Sequence, residues 1–168
     1  SGDTEGAVAF TIDFSDMSSN AGTQVTSTTD SSSVTLDKTV PTPTSVSMDS
    51  NNATSSGTDE TATVGDTVTI SFVADSTVQA PTVAFTVGGA SPASSVTVTN
   101  ASGNEWTAAF TLASGDTEGV VAFTINFADT AGNAGTQVTS TTDGTSVTFD
   151  KTAPTLSSVS IDSDNATN

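Results

Sequence analysis

"EWTAAFTLASGDTEGVVAFTINF", residues 105–127, decides the fold. Trp106, Ala108, Phe110 and Leu112 fall on every second position. After a turn containing Gly115, Asp116 and Gly119, Val121, Phe123, Ile125 and Phe127 do the same. A period of two puts successive side chains on opposite faces, so each run reads as a strand with one buried and one wet face, as in antiparallel sheets.

The same period extends outward in both directions. "TVTISFVA" (67–74) aligns Val68, Ile70 and Phe72; "PTVAFTV" (81–87) aligns Val83, Phe85 and Val87. "SVTVT" (95–99) gives Val96 and Val98, "TSVSM" (44–48) gives Val46 and Met48, and "GTSVTFD" (144–150) gives Val147 and Phe149. Threonine fills the wet faces and is a good strand former. The runs are separated by Gly, Pro, Asn and Asp turns such as "VGD", "VGGASP", "NASGN" and "DTAGNAG". No segment has a helical period. About seven short strands in roughly 110 residues predict an all-β, Greek-key β-sandwich.

The second half of the opening stretch is also a repeat. "SGDTEGVVAFTINF" at 114–127 matches "SGDTEGAVAFTIDF" at 1–14, and residues 114–168 align with 1–55 without a gap, 40 of 55 positions being identical. The repeating unit is therefore a whole domain, not a short solenoid turn, and implies an array of separate domains. The Pro-containing stretches "DKTVPTPT" (37–44) and "DKTAPT" (150–155) read as stiff linkers. One complete repeat is expected over 41–153, with 1–40 the C-terminal part of a preceding repeat and 154–168 the first strand of a following one. Val8, Phe10, Ile12 and Phe14 of the partial repeat are then expected to lie exposed unless other strands cover them.

Composition narrows the function. Nineteen acidic residues face two lysines, Lys38 and Lys151, for a net charge of −17. No basic patch exists to neutralise phosphate, so binding to nucleic acid or an anionic membrane surface is not expected, and divalent cations are the natural partners. The chain has no cysteine and no histidine, which removes disulfides, thiolate sites, a Ser-His-Asp triad and the commonest general base. No apolar run reaches the length of a membrane span, so no direct membrane insertion is expected. The remaining carboxylates belong to turns or strand ends, and no enzyme is expected.

"FADTAGNAGT" (127–136), "TSVTFDKTAPT" (145–155) and "SVSID" (158–162) together resemble the bacterial immunoglobulin-like repeats of large secreted surface adhesins. The first copy departs from the pattern: "SDMSSNAG" (15–22) keeps Asp16 and Asn20 but has lost the Ala-Gly pair between them. The resemblance implies an immunoglobulin-like fold in a tandem array, an extracellular location on a bacterial cell surface, and a role as a rigid stalk or spacer whose partners are neighbouring repeats. The alternative is a subunit of a cell-surface filament or sheath built from contacts between copies. A carbohydrate-binding module fits less well, because Trp106 is the single tryptophan, runs in phase with Ala108 and Phe110, and is accompanied by no tyrosine.

In an immunoglobulin-like topology Asp37, which ends the preceding unit, meets Asp75 and the Asp129–Asn133 loop of the next. These four residues are the expected Ca²⁺ ligands at the joint; by repetition Asp150 serves the next joint, and Asp16 and Asn20 the preceding one. The competing reading is that they are turn residues bonding their own backbone. Asp59, Glu60, Asp66, Asp116 and Glu118 are expected to form a solvated acidic rim at the far end, with a second metal site as the alternative. Asn-x-Ser/Thr triplets stand at Asn52, Asn100 and Asn165.

Overall fold

In a computed structural model, residues 2–164 are described. Their regular elements are all strands: β1 (Gly6–Ala7), β2 (Thr35–Leu36), β3 (Pro43–Ser50), β4 (Asp59–Ala62), β5 (Thr67–Ala74), β6 (Thr82–Val87), β7 (Thr97–Ser102), β8 (Glu105–Thr111), β9 (Gly119–Asn126) and β10 (Ser146–Phe149).

The period-two runs bury the residues the pattern selects. In β5 every second residue is buried, and Val68, Ile70, Phe72 and Ala74 are at most 3% exposed. Two four-stranded sheets result, in the orders β3-β5-β8-β7 and β4-β10-β9-β6. Val46, Ile70 and Phe110 from the first share one core with Phe85, Phe123 and Phe149 from the second. The Phe85 and Phe110 rings, 4.7 Å between centroids and tilted by 42°, tie one sheet to the other. The unit is all-β and sandwich-like: each sheet hides its apolar face against the other.

Two readings are corrected. The segment around Asp59–Ala62, expected only as part of a solvated acidic rim, was not among the strands read from the pattern. It is a strand that runs parallel to β10, from Asp59↔Ser146 to Ala62↔Phe149. Ala62 and Glu60 point inward, so residues 43–149 hold eight strands, not seven. The sequence hid this strand because one of its two inward residues is a carboxylate. Second, the strand expected at 95–99 starts at Thr97 and extends to Ser102, three residues into the segment read as a turn. Gly103, at φ 54°, makes the tight reversal there, and a bulge between Asn100 and Ser102 absorbs the odd residue. Trp106 is half-buried against the core, as its phase requires, with its indole Nε1 buried and without a partner.

Residues 2–40 form a hairpin. β1 pairs with β2, Gly6 opposite Leu36, and single bridges join Ile12 to Val25 and Ser15 to Ala21. Its apolar side is open: Val8, Ile12 and Phe14 are more than half exposed. Leu156, Val159 and Ile161 are also exposed, and no strand is found over 154–164. The rest of the expected strand, and the Asn165 triplet, lie outside the described residues.

Candidate functional site

The chain enters the sandwich through a linker that is gripped on both sides. Pro41 is fully buried, and its carbonyl lies so close to Gly135 that a Cβ there would sit 2.8 Å from it. At Thr42 the backbone N–H and the hydroxyl donate to the two carboxylate oxygens of Asp75, at 3.0 and 2.6 Å, and Asp75 N–H returns a bond to Thr42 O at 2.9 Å. These Thr42 donors, its hydroxyl first, hold the Asp75 carboxyl below its usual range.

Beside this pair, Asp129 is buried in the turn after β9. Asn133 donates to it twice, from its side chain to Oδ2 and from its backbone to Oδ1, both at 2.8 Å, and its pKa is lowered mainly by the Asn133 side chain. The same Asn133 amide donates to the carbonyl of Asp37 at 3.1 Å. Asn133 thus links Asp37 of the linker to Asp129 of the sandwich, while Asp75 is bonded separately to Thr42. Asp37 keeps its own carboxylate on Thr39 N–H. In the first hairpin Asp16 and Asn20 repeat the Asp129–Asn133 bonds at 2.8 and 2.9 Å, and Asp150 accepts from Thr152 N–H as Asp37 does from Thr39. Among the described residues no three acidic side chains gather into a group able to hold a cation.

At the opposite end the chain leaves through a clamp. Glu118 accepts from Lys151 N–H at 2.7 Å and from the Thr152 hydroxyl at 2.8 Å. The Lys151 ammonium donates to the Ser114 and Asp116 carbonyls and lies 5.8 Å from the centre of the Phe149 ring. The clamp is repeated in the first hairpin: Glu5 accepts from Lys38 N–H and the Thr39 hydroxyl, and Lys38 Nζ donates to Asp3 O. Both lysines of this acidic chain thus serve the same purpose, fastening a linker to the turn that starts the preceding strand.

The reading of the far-end acids as a solvated rim fits Asp59 and Glu118, which are exposed, and is corrected for Asp116 and Glu60. Asp116 is 4% exposed and accepts from Ala93 and Ala113 N–H at 2.7 and 2.8 Å; Glu60 is 7% exposed and accepts from Ser50 N–H at 2.7 Å. Buried carboxylates that cap backbone donors are structural. Sequence reading missed the clamp, although its signal was available: the two cations sit in identical "DKT" triplets, each 33 residues after the Glu of a "DTEG". Two Asn-x-Ser/Thr triplets have internal roles as well. Asn52 donates to Thr61 O and Asn100 to Gly103 O.

Glu118 is held below its usual value of 4.5, first by the Lys151 N–H and then by the Thr152 hydroxyl. A carboxylate with a depressed folded value contributes stability above its unfolded value and loses it as pH falls through the folded one. Glu118→Gln is therefore expected to lower the thermal midpoint by a few degrees at neutral pH. The gap from wild type should stay constant down to about pH 4.5 and close below it; calorimetry across that range checks this, and a gap independent of pH would refute it.

The chain matches no family model, no curated protein and no solved structure.

Proposed function

We propose that this chain is a segment of a tandem array of immunoglobulin-like Greek-key domains serving as a rigid extracellular spacer on a bacterial surface. The observation that carries the reading is the linker at 37–42. Its first half is held from both sides, Lys38 and Thr39 by Glu5 of the hairpin behind and the Asp37 carbonyl by Asn133 of the sandwich ahead, and its second half is fastened to the sandwich by Asp75 and the burial of Pro41. A linker ordered by both neighbours transmits direction, whereas a free Gly/Ser tether would act as a coil. The strand orders β3-β5-β8-β7 and β4-β10-β9-β6 support the immunoglobulin-like topology. The near absence of cations, and a surface of threonine, serine and acid, support a module that stays soluble and separate from its neighbours.

Small-angle scattering tests the stiffness. Polypeptides with two, three and four copies of the 113-residue period are expected to lengthen by a constant increment, roughly 40–50 Å each for an eight-residue strand plus its linker. A maximum dimension that grows only as the square root of copy number would overturn the spacer reading.

Ca²⁺ belongs to the proposal as a ligand of this joint, with Asp37, Asp75 and Asp129 as the carboxylates it would recruit; they are not gathered around one point, so binding requires them to leave Thr39, Thr42 and Asn133. Its test is separate: a lower melting temperature in chelator supports it, and an unchanged one leaves a joint held by hydrogen bonds alone.

A further inference from the structure

Each sheet of the sandwich ends in two edge strands: β3 and β7 in one, β4 and β6 in the other. An edge presents unpaired backbone N–H and C=O groups, a template for another strand, and folded proteins blunt such edges. Three of the four are blunted here. On β3, Val46 N–H donates to Thr142 Oγ1 at 2.9 Å and Met48 N–H to Thr145 Oγ1 at 2.8 Å. On β4, Thr61 N–H donates to Ser55 Oγ at 2.7 Å, and Thr61 O accepts from the Asn52 amide at 2.9 Å. On β7 the bulge between Asn100 and Ser102 interrupts the strand and twists its edge.

β6 has no such device. Its bonds to β9 fall on alternate residues: Gly88 N–H donates to Val120 O, and Ile125 exchanges both of its backbone bonds with Val138 on the other side of β9. With Val83 opposite Ile125 and Phe85 opposite Phe123, the backbone groups of Val83 and Phe85 point away from the sheet. Val87 uses its own pair on Ala90 in the turn. Among the described residues, no hydrogen bond reaches the outward groups of Val83 and Phe85. Their side chains are only 8% and 3% exposed, so the core fixes the strand while its edge stays bare. This openness belongs to the complete sandwich and not to either end of the chain.

Charge decides what can cover it. The chain carries −17, so two copies repel wherever acid faces acid. Residues 76–104, between Asp75 and Glu105, hold no charged side chain, and they form β6, β7 and the 88–96 connection between them. A cationic partner would be drawn to the acidic ends instead of this strip. A second copy needs a strip free of charge, because an isologous contact presents the same surface patch from both sides. The strand is also self-complementary. With Ala84 on a two-fold axis, Val83 of one copy meets Phe85 of the other, and the two residues exchange both N–H···O bonds. The side chains on the solvent face, Thr82, Ala84 and Thr86, are small and uncharged.

We propose that the β6 edge is a pairing surface for β6 of a second copy of this chain, antiparallel and centred on Ala84. The β4-β10-β9-β6 sheets of the two copies then become one continuous sheet across the two-fold axis. The contact goes beyond the spacer reading and does not depend on it: it joins separate chains side by side, while the linkers join domains end to end. Acid elsewhere on the surface keeps copies apart and so fixes the place where they meet.

Sedimentation of the full chain from about 10 μM to about 1 mM is expected to show a weak dimer, as a small contact gives. Amide exchange at Val83 and Phe85 should slow over that range, while Val98 on β7 keeps its rate. In the composite sheet the two Ala84 Cα atoms form a non-hydrogen-bonded pair about 4.5 Å apart, so a charge there faces its own copy. Ala84→Lys and Ala84→Glu, each alone, should dimerise roughly tenfold more weakly than wild type. Both should keep the wild-type thermal midpoint within a few degrees, because Ala84 is exposed. Mixed 1:1, the two variants should recover the dimer as a heterodimer. A wild type that stays monomeric at about 1 mM overturns the proposal, as does a mixture of the variants that associates no better than either alone. Self-association that leaves Val83 and Phe85 exchanging at the monomer rate, or that is unchanged in Ala84→Lys, runs through another surface and overturns it too.

Discussion

Phe110→Ala is expected to remove about 3–5 kcal/mol of folding free energy, the range for a phenylalanine cut to alanine in a packed core. Phe110 is 2% exposed, and its ring is the contact that couples β8 in one sheet to Phe85 of β6 in the other. Loss of the ring pair contributes about 0.5–1.5 kcal/mol beyond area burial. Domains of this size have only about 5–15 kcal/mol in total, so the variant should sit near its unfolding midpoint in mild denaturant. Phe110→Leu keeps most of the volume and should cost under about 1.5 kcal/mol. Urea titration followed by Trp106 emission measures both. A loss below about 1 kcal/mol for the alanine variant would mean that the two sheets do not share one core.

What the sequence disclosed, and what it withheld, follows from which interactions leave a pattern. Burial in a strand leaves a period of two, so Val68, Ile70, Phe72, Phe85, Phe123 and Phe149 could be placed inside before any coordinates. β4 leaves no such pattern, because one of its inward residues is Glu60, satisfied by a backbone N–H from Ser50 ten residues away. Carboxylates show the same limit at the joint. Asp37, Asp75, Asp129 and Asn133 were legible as candidates for one joint only through the immunoglobulin-like topology that the resemblance implies. Their hydrogen-bond donors were not, since Thr42 and Asn133 are ordinary turn residues in sequence. Asp116 looked solvated because charge usually is; its burial depends on Ala93, 23 residues earlier, turning its N–H inward. The Glu118–Lys151 clamp was visible only by comparing the two copies.

Gly88→Ala should be the most damaging change outside the core, and its neighbour supplies the control. Gly88 and Gly89 end β6 at φ 55° and 84°, both in the left-handed region where an L side chain costs about 1–2 kcal/mol. Only Gly88 is also crowded: a Cβ there would lie 2.4 Å from the Glu118 carbonyl and 2.9 Å from that of Thr117, whereas one on Gly89 meets nothing within 4 Å. Backbone cannot yield as a flexible side chain can, so the start of β9 must move away, breaking the 3.1 Å bond from Gly88 N–H to Val120 O. That shift carries Glu118 off Lys151 and Thr152 and loosens the exit clamp. Gly89→Ala is expected to cost about 1–2 kcal/mol, and Gly88→Ala about 3 kcal/mol or more. Amide exchange at Lys151 should accelerate in Gly88→Ala and stay unchanged in Gly89→Ala. Equal destabilisation of the two variants, with equal protection at Lys151, would show that backbone conformation alone governs this corner and that the crossing of β6 over the 117–119 turn does not hold the clamp in place.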